Sequence, residues 1–352
     1  MKIAILGDTH FGVRGDSIAF HNSYKNFYKE VFFPYLVQHG ITTVFQLGDL
    51  FDRRKYISFQ SLALCRRYFF DEFPRYNIEL HTLLGNHDIT YRNTLEVNSP
   101  ELLLREYENH IFVYNEPYSW NGIDVIPWIC KNNELEILDF IRNSKNEMCF
   151  GHFELAGFKM DLLNLSHEGM DPATLKKYEL VLSGHYHHKS TQGNITYVGT
   201  PNEMTWLDYN DPRGFHILDT QTRELEFIEN PFKMFYKINY NDDLLDYEQL
   251  VNKNYNSYSG KYVKIIVEKR NNTFLFDTLL DNLTKVNPAD VSIVEDFTDI
   301  DIANSDMVVD EAQDTISILN SYIDSLTLPV ESNRIKDIVR EVYAEALINE
   351  AA

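Results

Sequence analysis

The sequence predicts an α/β (α+β) protein with a second, smaller unit near its carboxyl end. Over residues 1–230, short apolar runs alternate with stretches of helical periodicity, and the pattern becomes rich in strands from about residue 195. Alternation of this kind is typical of a sheet covered by helices. After about Pro231 a shorter strand–helix–strand pattern begins. The alternation and its later restart together predict the fold class and its division into two parts.

The strands are predicted from short apolar runs that are bounded by glycine or polar residues. These runs cover residues 2–7, 43–47, 78–84, 147–150 and 179–183, and then Ile195–Val198, Phe215–Leu218 and Glu224–Ile228. Runs of this length without helical spacing are typical of buried strands. Turn residues at 210–212 and 220–222 separate the last of them.

Two helices are predicted between the first three strands. One follows Ser17 and ends at Gly40, because apolar residues recur there at helical spacing and glycine commonly ends a helix. Pro34 is expected to kink it, since proline cannot donate a backbone hydrogen bond. The second runs from about Ser58 to Phe73 and is expected to end before Pro74.

The second unit is predicted to be a small βαβ-like module. It has a strand at Tyr262–Val267, a helix at Thr273–Leu283 and a strand at Val291–Val294. An acidic stretch without Lys or Arg follows. The predicted boundaries are residues 1–230, 231–298, a linker at 299–308, and a tail at 309–352.

The pattern of apolar residues in the tail predicts two amphipathic helices that form a hairpin. Ile316, Leu319, Tyr322, Ile323 and Leu326 share one face of the first helix. The second helix follows Pro329 and repeats the pattern. An apolar face of this kind must be covered, either by the rest of this chain or by a partner.

Composition restricts the class of protein. The chain has 352 residues, of which 44% are hydrophobic, so it can bury a sizeable core. A formal net charge of −21 argues against wholesale electrostatic binding of nucleic acid, although charge can be segregated. Neither a signal peptide nor a membrane span is predicted. Three widely spaced cysteines fit a reducing cytoplasm.

Five short motifs stand where predicted strands end. They are Gly7-Asp8-Thr9-His10, Gly48-Asp49-Leu50, Gly85-Asn86-His87-Asp88, Gly151-His152 and Gly184-His185-Tyr186-His187. In α/β sheets, the loops at the carboxyl ends of strands line the ligand crevice, so these five loops can converge. They offer Asp, Asn and His side chains, which are ligands for divalent metals. The other seven histidines are expected to lie on the surface or in the core.

This set of side chains predicts a site for two cations. A carboxylate can bridge two ions about 3.5–4 Å apart, and Asp49 suits that role. Mixed ligands without sulfur favour Mn²⁺ or Fe²⁺, with Zn²⁺ also compatible. Such ions lower the pKa of bound water and neutralise phosphate charge, so phosphoester cleavage is the expected chemistry.

The ordered motifs resemble those of the calcineurin-like metallophosphoesterase superfamily. Gly48-Asp49-Leu50-Phe51-Asp52, Gly199-Thr200-Pro201 and Asp211-Pro212-Arg213-Gly214 are similar to motifs of its SbcD-like double-strand-break-repair nucleases. The length and the tail look most like the recombination endonuclease subunit of tailed phages. The resemblance covers the first 230 residues well. It implies a two-sheet αββα sandwich, with residues 231–298 as a DNA-capping domain.

The resemblance also implies a role for each motif residue. Asp8, His10, Asp49 and His187 would hold one metal, and Asp49, Asn86, His152 and His185 would hold the other. His87 would be a catalytic residue that contacts the scissile phosphate, and Asp88 would orient it. Two divalent ions are implied, most often Mn²⁺, with Mg²⁺ or Fe²⁺ as alternatives.

Some positions are left open by the resemblance. Some members of the family have a second His where this chain has Asp52, which puts any exonuclease-specific role of this position in doubt. The run Arg53-Arg54-Lys55 either grips phosphates or is a solvated loop. Lys261, Lys264, Lys269 and Arg270 are candidates for contacts with the DNA backbone, or serve solubility.

The resemblance implies a Mn²⁺-dependent DNA exonuclease and endonuclease that processes DNA ends in recombination, repair and replication. Its partners would be double-stranded and single-stranded DNA and an SbcC-like SMC/ABC ATPase, bound by the tail. A homodimer within a heterotetramer is expected, in the cytoplasm. The alternatives are a phosphatase on the same scaffold, which usually has Asp-Arg-Gly after the second motif, or a non-catalytic DNA-end scaffold.

Overall fold

The computed structural model describes residues 1–160 and 165–295. Its strands are β1 (Lys2–Leu6), β2 (Thr43–Gln46), β3 (Glu79–Leu83), β4 (Ile111–Tyr114), β5 (Tyr118–Trp120), β6 (Ile123–Ile126), β7 (Met148–His152), β8 (Leu180–Gly184), β9 (Ser190–Gln192), β10 (Ile195–Tyr197), β11 (Gly214–Asp219), β12 (Leu225–Glu229), β13 (Phe235–Asn241), β14 (Tyr262–Lys269) and β15 (Asp290–Glu295). The eight strands predicted in residues 1–230 are all present, with ends shifted by one or two residues. The prediction missed β4, β5, β6 and β9 in that part of the chain.

Helices fill most of the connections between strands. The α-helices are α1 (Val13–Asp16), α2 (Ile18–Phe27), α3 (Phe33–His39), α4 (Phe59–Cys65), α5 (Glu72–Tyr76), α6 (Ser99–Leu103), α7 (Glu134–Asn143), α8 (Tyr247–Asn252) and α9 (Thr273–Lys285). Short 3₁₀ turns lie at Arg105–Tyr107, Pro172–Leu175, Trp206–Asp208 and Asn256–Tyr258. None of the helices in the described part of the chain is long and apolar enough to cross a membrane.

The described strands form two six-stranded sheets and one three-stranded sheet. The order in the first sheet is β12-β11-β1-β2-β3-β4, and in the second it is β5-β6-β7-β8-β10-β9. Strands β1 to β4 run parallel, and so do β6, β7, β8 and β10. The carboxyl ends of parallel neighbours therefore lie at one edge of each sheet. This arrangement brings the loops after β1, β2 and β3 together, and those after β7 and β8.

The two large sheets pack face to face. Ile5 and Phe45 of the first sheet share one buried apolar cluster with Val125 and Phe150 of the second. Two further clusters cover the outer faces, one with α2 and α3 on the first sheet and one with α7 on the second. Burying each large apolar side chain contributes about 1.5–3 kcal/mol. These layers confirm the predicted two-sheet αββα sandwich.

The first predicted helix is present in two pieces. It begins after Ser17 and ends at Gly40, which takes the left-handed conformation (φ 63°) that suits glycine. A π-helical turn at Tyr28–Phe32 separates α2 from α3, and Pro34 lies in the first turn of α3. The π-helical turn changes the hydrogen-bond register just before Pro34, where a residue without an N–H is accommodated. The predicted interruption therefore occurs just before Pro34.

The second predicted helix begins as expected but does not end before Pro74. Ser58 caps it, accepting a hydrogen bond from the backbone N–H of Ser61 (3.1 Å). A π-helical turn at Arg66–Phe70 then restarts the helix as α5, with Pro74 inside its first turn. The expected end was wrong because this restart makes a first-turn position available, where proline is tolerated.

The second module, residues 231–295, contains the predicted βαβ unit and one strand more. Strands β13, β14 and β15 are parallel and adjacent in this order, with α9 connecting the last two. The sequence prediction missed β13 and α8. Phe235 at the start of β13 packs against Phe20 and Trp206 (ring centroids 6.1 and 4.8 Å apart). The linker predicted at 299–308 and the tail predicted at 309–352 lie outside the described residues.

Candidate metal centre

The five predicted loops follow β1, β2, β3, β7 and β8, and the structure brings their polar side chains together at one edge of the sandwich. Glycines let the loops approach closely. A Cβ atom at Gly85 would overlap the carboxylate of Asp49, and one at Gly184 would overlap that of Asp8. Both glycines are therefore required by space. The converging ligand atoms fall into two groups.

The open group consists of Asp8, His10 and His187. Their ligand atoms lie within 4.8 Å of one another. The Nε2 atoms of His10 and His187 are 3.2 Å apart, and Nε2 of His187 lies 3.8 Å from Oδ2 of Asp8. Asp8 and His10 are buried, whereas the side chain of His187 is 32% exposed. Two imidazole nitrogens and a carboxylate at these distances suit a shared divalent cation.

The deep group consists of Asp49, Asn86, His152 and His185. The ligand atoms of Asp49, His152 and His185 lie within 4.8 Å of one another. The amide oxygen of Asn86 is 3.0 Å from Nε2 of His152 and 3.0 Å from Nδ1 of His185. Nδ1 of His152 donates to the backbone carbonyl of Leu47 (2.7 Å), which directs Nε2 into the site. This group also fits a divalent cation.

Asp49 lies between the two groups. Its Oδ2 atom is 3.4 Å from Nε2 of His152 and 3.8 Å from Nε2 of His10. Its Oδ1 atom accepts a hydrogen bond from the backbone N–H of His87 (2.7 Å). One carboxylate oxygen therefore faces both groups, which is the position that a bridging ligand needs.

The buried charges in this site change one another's pKa. Burial would raise the pKa of Asp49, but the imidazoles of His152 and His87 hold it well below its usual range. Burial would lower the pKa of His152, but the carboxylates of Asp49 and Asp8 raise it to about 9. Burial, together with the charge of Asp49, raises the pKa of Asp8 to about 6. A bound cation would displace protons from His152 and Asp8, because metal ligands bind in their deprotonated forms.

His87 lies beside the open group, with its ring 4.8 Å from the ring of His10. Nδ1 of His87 donates a hydrogen bond to the backbone carbonyl of Asp52 (2.6 Å). A carbonyl cannot donate in return, so this bond assigns the proton to Nδ1 and leaves proton exchange with a substrate to Nε2. The Asp52 backbone therefore provides an orienting contact for His87.

Asp88, which we predicted to orient His87, holds the backbone of two site loops. Its carboxylate accepts hydrogen bonds from the backbone N–H groups of Leu50 (3.0 Å), Phe51 (3.3 Å) and Gly85 (2.9 Å). Burial, with the nearby charge of Asp49, raises its pKa to about 7. Asp88 therefore ties the loop after β2 to the loop after β3.

Three of the site residues have strained backbones. His10, Asp49 and His185 take positive φ angles of 44°, 52° and 86°. Side-chain-bearing residues rarely adopt this region, and such strain is concentrated at functional sites. The predicted ligand loops are therefore held in conformations that the surrounding fold must stabilise.

The histidines outside the motifs lie in the core or near the surface, as predicted. His21, His81 and His216 are buried, and His21 bonds both Tyr68 (3.0 Å) and Ser61 (2.7 Å). His39 and His167 are exposed, and His110 is half-buried. His188 bonds Asp211 through Nδ1 (2.9 Å). Of these seven residues, His188 alone neighbours a motif residue in sequence.

The predicted DNA-contact candidates differ in exposure. Lys264 is buried, with its Nζ atom 4.5 Å from the centre of the Trp206 ring, so it does not lie on the surface. Lys269 pairs with Asp243 (2.5 Å). Arg270 pairs with Glu295 (2.9 Å), and Lys261 is half-buried.

Sequence reasoning missed two features around the site. Trp128 packs against His152 and His185 (ring centroids 5.8 and 5.2 Å apart) from the loop after β6. Arg213 is buried behind His187 and contacts its backbone carbonyl. The motif around Arg213 was visible in the sequence, but nothing in the sequence indicated what it contacts.

Comparison with known proteins agrees with the motifs. A family model described as calcineurin-like phosphoesterase matches residues 1–189. Exonuclease subunit 1 of Enterobacteria phage T4 is 35% identical to this chain, over 98% of this chain and 99% of its own length. A solved structure titled as a novel archaeal phosphodiesterase is 16% identical, with a TM-score of 0.34, and covers 65% of this chain and 99% of its own. That last likeness is too weak to bear on the fold.

Proposed function

We propose that this chain, which belongs to the calcineurin-like phosphoesterase family, is a metal-dependent exonuclease and endonuclease that hydrolyses DNA. The observation that carries the proposal is the position of Asp49, whose Oδ2 atom faces both groups of ligands. Two cations joined by such a carboxylate suit the in-line cleavage of a phosphodiester. The name of the T4 relative, an exonuclease subunit, supports DNA as the substrate.

The two groups would each hold one ion. Asp49 would complete both shells, with the open group on one side and the rest of the deep group on the other. Mn²⁺ is our first choice, with Mg²⁺ or Fe²⁺ as alternatives, because the ligands are imidazoles, carboxylates and an amide oxygen without sulfur. When bound, the ions neutralise phosphate charge and lower the pKa of water.

The remaining residues would act on the substrate and on the loops. As an imidazolium, with its Nδ1–H donated to the Asp52 carbonyl, His87 would contact the scissile phosphate and transfer its Nε2 proton to the leaving oxygen. Asp88 would act as a positioning residue, because its three hydrogen bonds join the loop that carries Asp49 to the loop that carries His87. General acid catalysis of this kind contributes about 10²- to 10⁴-fold.

A basic segment beside the site supports a nucleic-acid substrate. Arg53 follows Asp52 directly, pairs with Asp16 (3.4 Å) and lies 4.9 Å from the centre of the Tyr56 ring. Lys55 and Tyr56 are exposed. Cations bind the phosphates of either double-stranded or single-stranded DNA, and an exposed aromatic ring can stack on an unpaired base. This segment is our candidate for holding DNA next to His87.

The proposed complex includes a second protein. We expect the tail at 309–352 to bind an SbcC-like SMC/ABC ATPase, in a heterotetramer built on a homodimer of this chain. In the cytoplasm this complex would process DNA ends in recombination, repair and replication. The word "subunit" in the name of the T4 relative supports a partner. Deleting residues after 308 should abolish capture of the ATPase and spare Mn²⁺-dependent cleavage; undiminished capture would contradict this assignment.

The nuclease proposal is tested with purified full-length protein, Mn²⁺ and linear double-stranded DNA. Wild type should degrade the DNA, while Asp49→Asn and His87→Ala should degrade it at least about 100-fold more slowly. His167→Ala is the matched control, because His167 is exposed and lies outside the site. Equal activity of wild type and the two site variants would mean that another centre, or a contaminant, does the cleavage.

A further inference from the structure

The motifs Gly199-Thr200-Pro201 and Asp211-Pro212-Arg213-Gly214 contribute no ligand to either group. They contact the backbone of one ligand, His187. Arg213 is buried, and its Nη1 atom donates to the backbone carbonyl of His187 and to Oγ1 of Thr200 (3.0 Å). Its Nη2 atom donates to Asp208 (2.6 Å) and forms an ion pair with Asp211 (2.8 Å). A guanidinium is suited to such a task, because its donors are fixed in one plane.

The backbone of His187 is held by contacts from a later part of the chain. His187 lies three residues beyond the end of β8, and its side chain is a third exposed. Its carbonyl also accepts a hydrogen bond from the backbone N–H of Thr200 (3.1 Å). The next residue, His188, bonds the same Asp211 that Arg213 contacts. The backbone at 187–188 is therefore fixed by the segment 199–213, which we call the connector.

The other end of the connector holds the second module. Glu203 is buried and accepts hydrogen bonds from the backbone N–H groups of Met234 (2.6 Å) and Phe235 (3.0 Å), where β13 begins. Asp208, the partner of Arg213, accepts from the backbone N–H groups of Met204 (2.6 Å) and Thr205. Two sets of hydrogen bonds, joined by the peptide bond between Glu203 and Met204, thus connect the start of β13 to the carbonyl of His187.

We propose that Arg213 is a positioning residue for His187, and that the connector couples the open group to the second module. Removing a partner that orients a metal ligand typically costs 10- to 100-fold in metal affinity. Buried charged hydrogen bonds are suited to this because each partner is costly to leave unpaired. The positioning role rests on the proposed metal site, but it does not require that the substrate be DNA.

The test measures Mn²⁺ binding to metal-free, full-length protein by calorimetry, with melting temperature as a second readout. Arg213→Lys keeps the charge but loses the planar fork. We expect it to weaken one of the two classes of Mn²⁺ site by about tenfold and to leave the other unchanged. His187→Ala should weaken the same class. Arg223→Lys is the matched control, because Arg223 also pairs with two carboxylates, Glu147 and Glu179, outside the site.

The double variant decides whether Arg213 acts through His187. In the His187→Ala background, Arg213→Lys should cause little further loss, because residues that act as one unit are not additive. An equal tenfold loss in both backgrounds, or an unchanged affinity with only a lower melting temperature, would overturn the positioning role. Both outcomes are read from metal binding, so they are distinct from an absence of nuclease activity.

A second variant, at Glu203, tests the coupling without changing Arg213. It can therefore be interpreted even if Arg213→Lys misfolds. Glu203→Gln keeps the shape of the side chain but weakens its hold on the amides of Met234 and Phe235. It should lower the affinity of the same class of site, by about two- to threefold, since a neutral acceptor is roughly half as strong as a charged one. An unchanged affinity in this variant would show that the second module is not coupled to the open group.

Discussion

The open group and the deep group offer similar side chains but are held in different ways. In the deep group, His152 is fully buried, and Asn86 contacts both histidines. In the open group, His187 is a third exposed and its backbone is fixed through the buried side chain of Arg213. His152 is the last residue of β7 and is positioned by the sheet, whereas His187 lies three residues beyond β8 and has a separate support. We therefore expect the deep group to bind its ion more tightly.

The largest effect should come from a change at Asp49, which faces both the open group and the deep group. Asp49→Asn removes the charge that faces His10 and His152, so both ions should bind weakly and DNA cleavage should fall by at least about 10³-fold, the equivalent of roughly 4 kcal/mol. Elemental analysis after dialysis against Mn²⁺ measures the loss of metal, and a DNA cleavage assay measures the loss of rate. Retention of both ions would show that Asp49 does not bridge them.

His87 provides the contrast, because it should affect the rate without affecting either ion. His87→Ala removes the proposed proton donor, and we expect cleavage to fall by about 10²-fold or more while the Mn²⁺ content is unchanged. A substrate with a good leaving group, such as a nitrophenyl phosphodiester, should lose less activity, because it needs less protonation. Loss of metal from this variant would instead make His87 a part of the open group.

The two groups can be separated by a matched pair of histidine variants. His152→Ala should weaken binding at the deep position by at least about 100-fold, because a buried ligand cannot be replaced without strain. His187→Ala should cost only about tenfold, because water can reach the exposed side of the open position. Mn²⁺ titration followed by electron paramagnetic resonance measures both. Equal losses, or a larger loss for His187→Ala, would contradict the expectation that the deep group binds its ion more tightly.

The sequence was sufficient to place the side chains of the deep group at strand ends and to predict the sandwich, and the reason is local. Each ligand there follows a short apolar run and a glycine, so pattern alone places it at the end of a strand. It was not sufficient for the contacts of Asp52, Asp88 and Arg213, because those depend on backbone carbonyls and amides that come from distant loops. The restart of the helix at Arg66–Phe70 was missed for a similar reason, since a π-helical turn has no clear sequence signal.

The smallest predicted difference between the two positions is in their dependence on pH. A cation must displace the proton of His152, whose pKa is raised to about 9 although burial alone would lower it, because Asp49 and Asp8 lie close by. At the open position one competing proton is that of Asp8, whose pKa burial raises to about 6. Acid therefore weakens both positions. The contribution of His152 to affinity at the deep position should rise with pH up to about 9, whereas the contribution of Asp8 at the open position should level off above about 6.

Calorimetry in buffers of different ionisation enthalpy measures these protons directly. At pH 7.5 we expect Mn²⁺ binding at the deep position to release close to one proton from His152, and binding at the open position to release almost none from Asp8. The corresponding change in affinity is at most about tenfold per pH unit for each proton released. Equal proton release at both positions would show that Asp49 couples the titration of one position to that of the other. The deep and open positions would then differ only in their exposure.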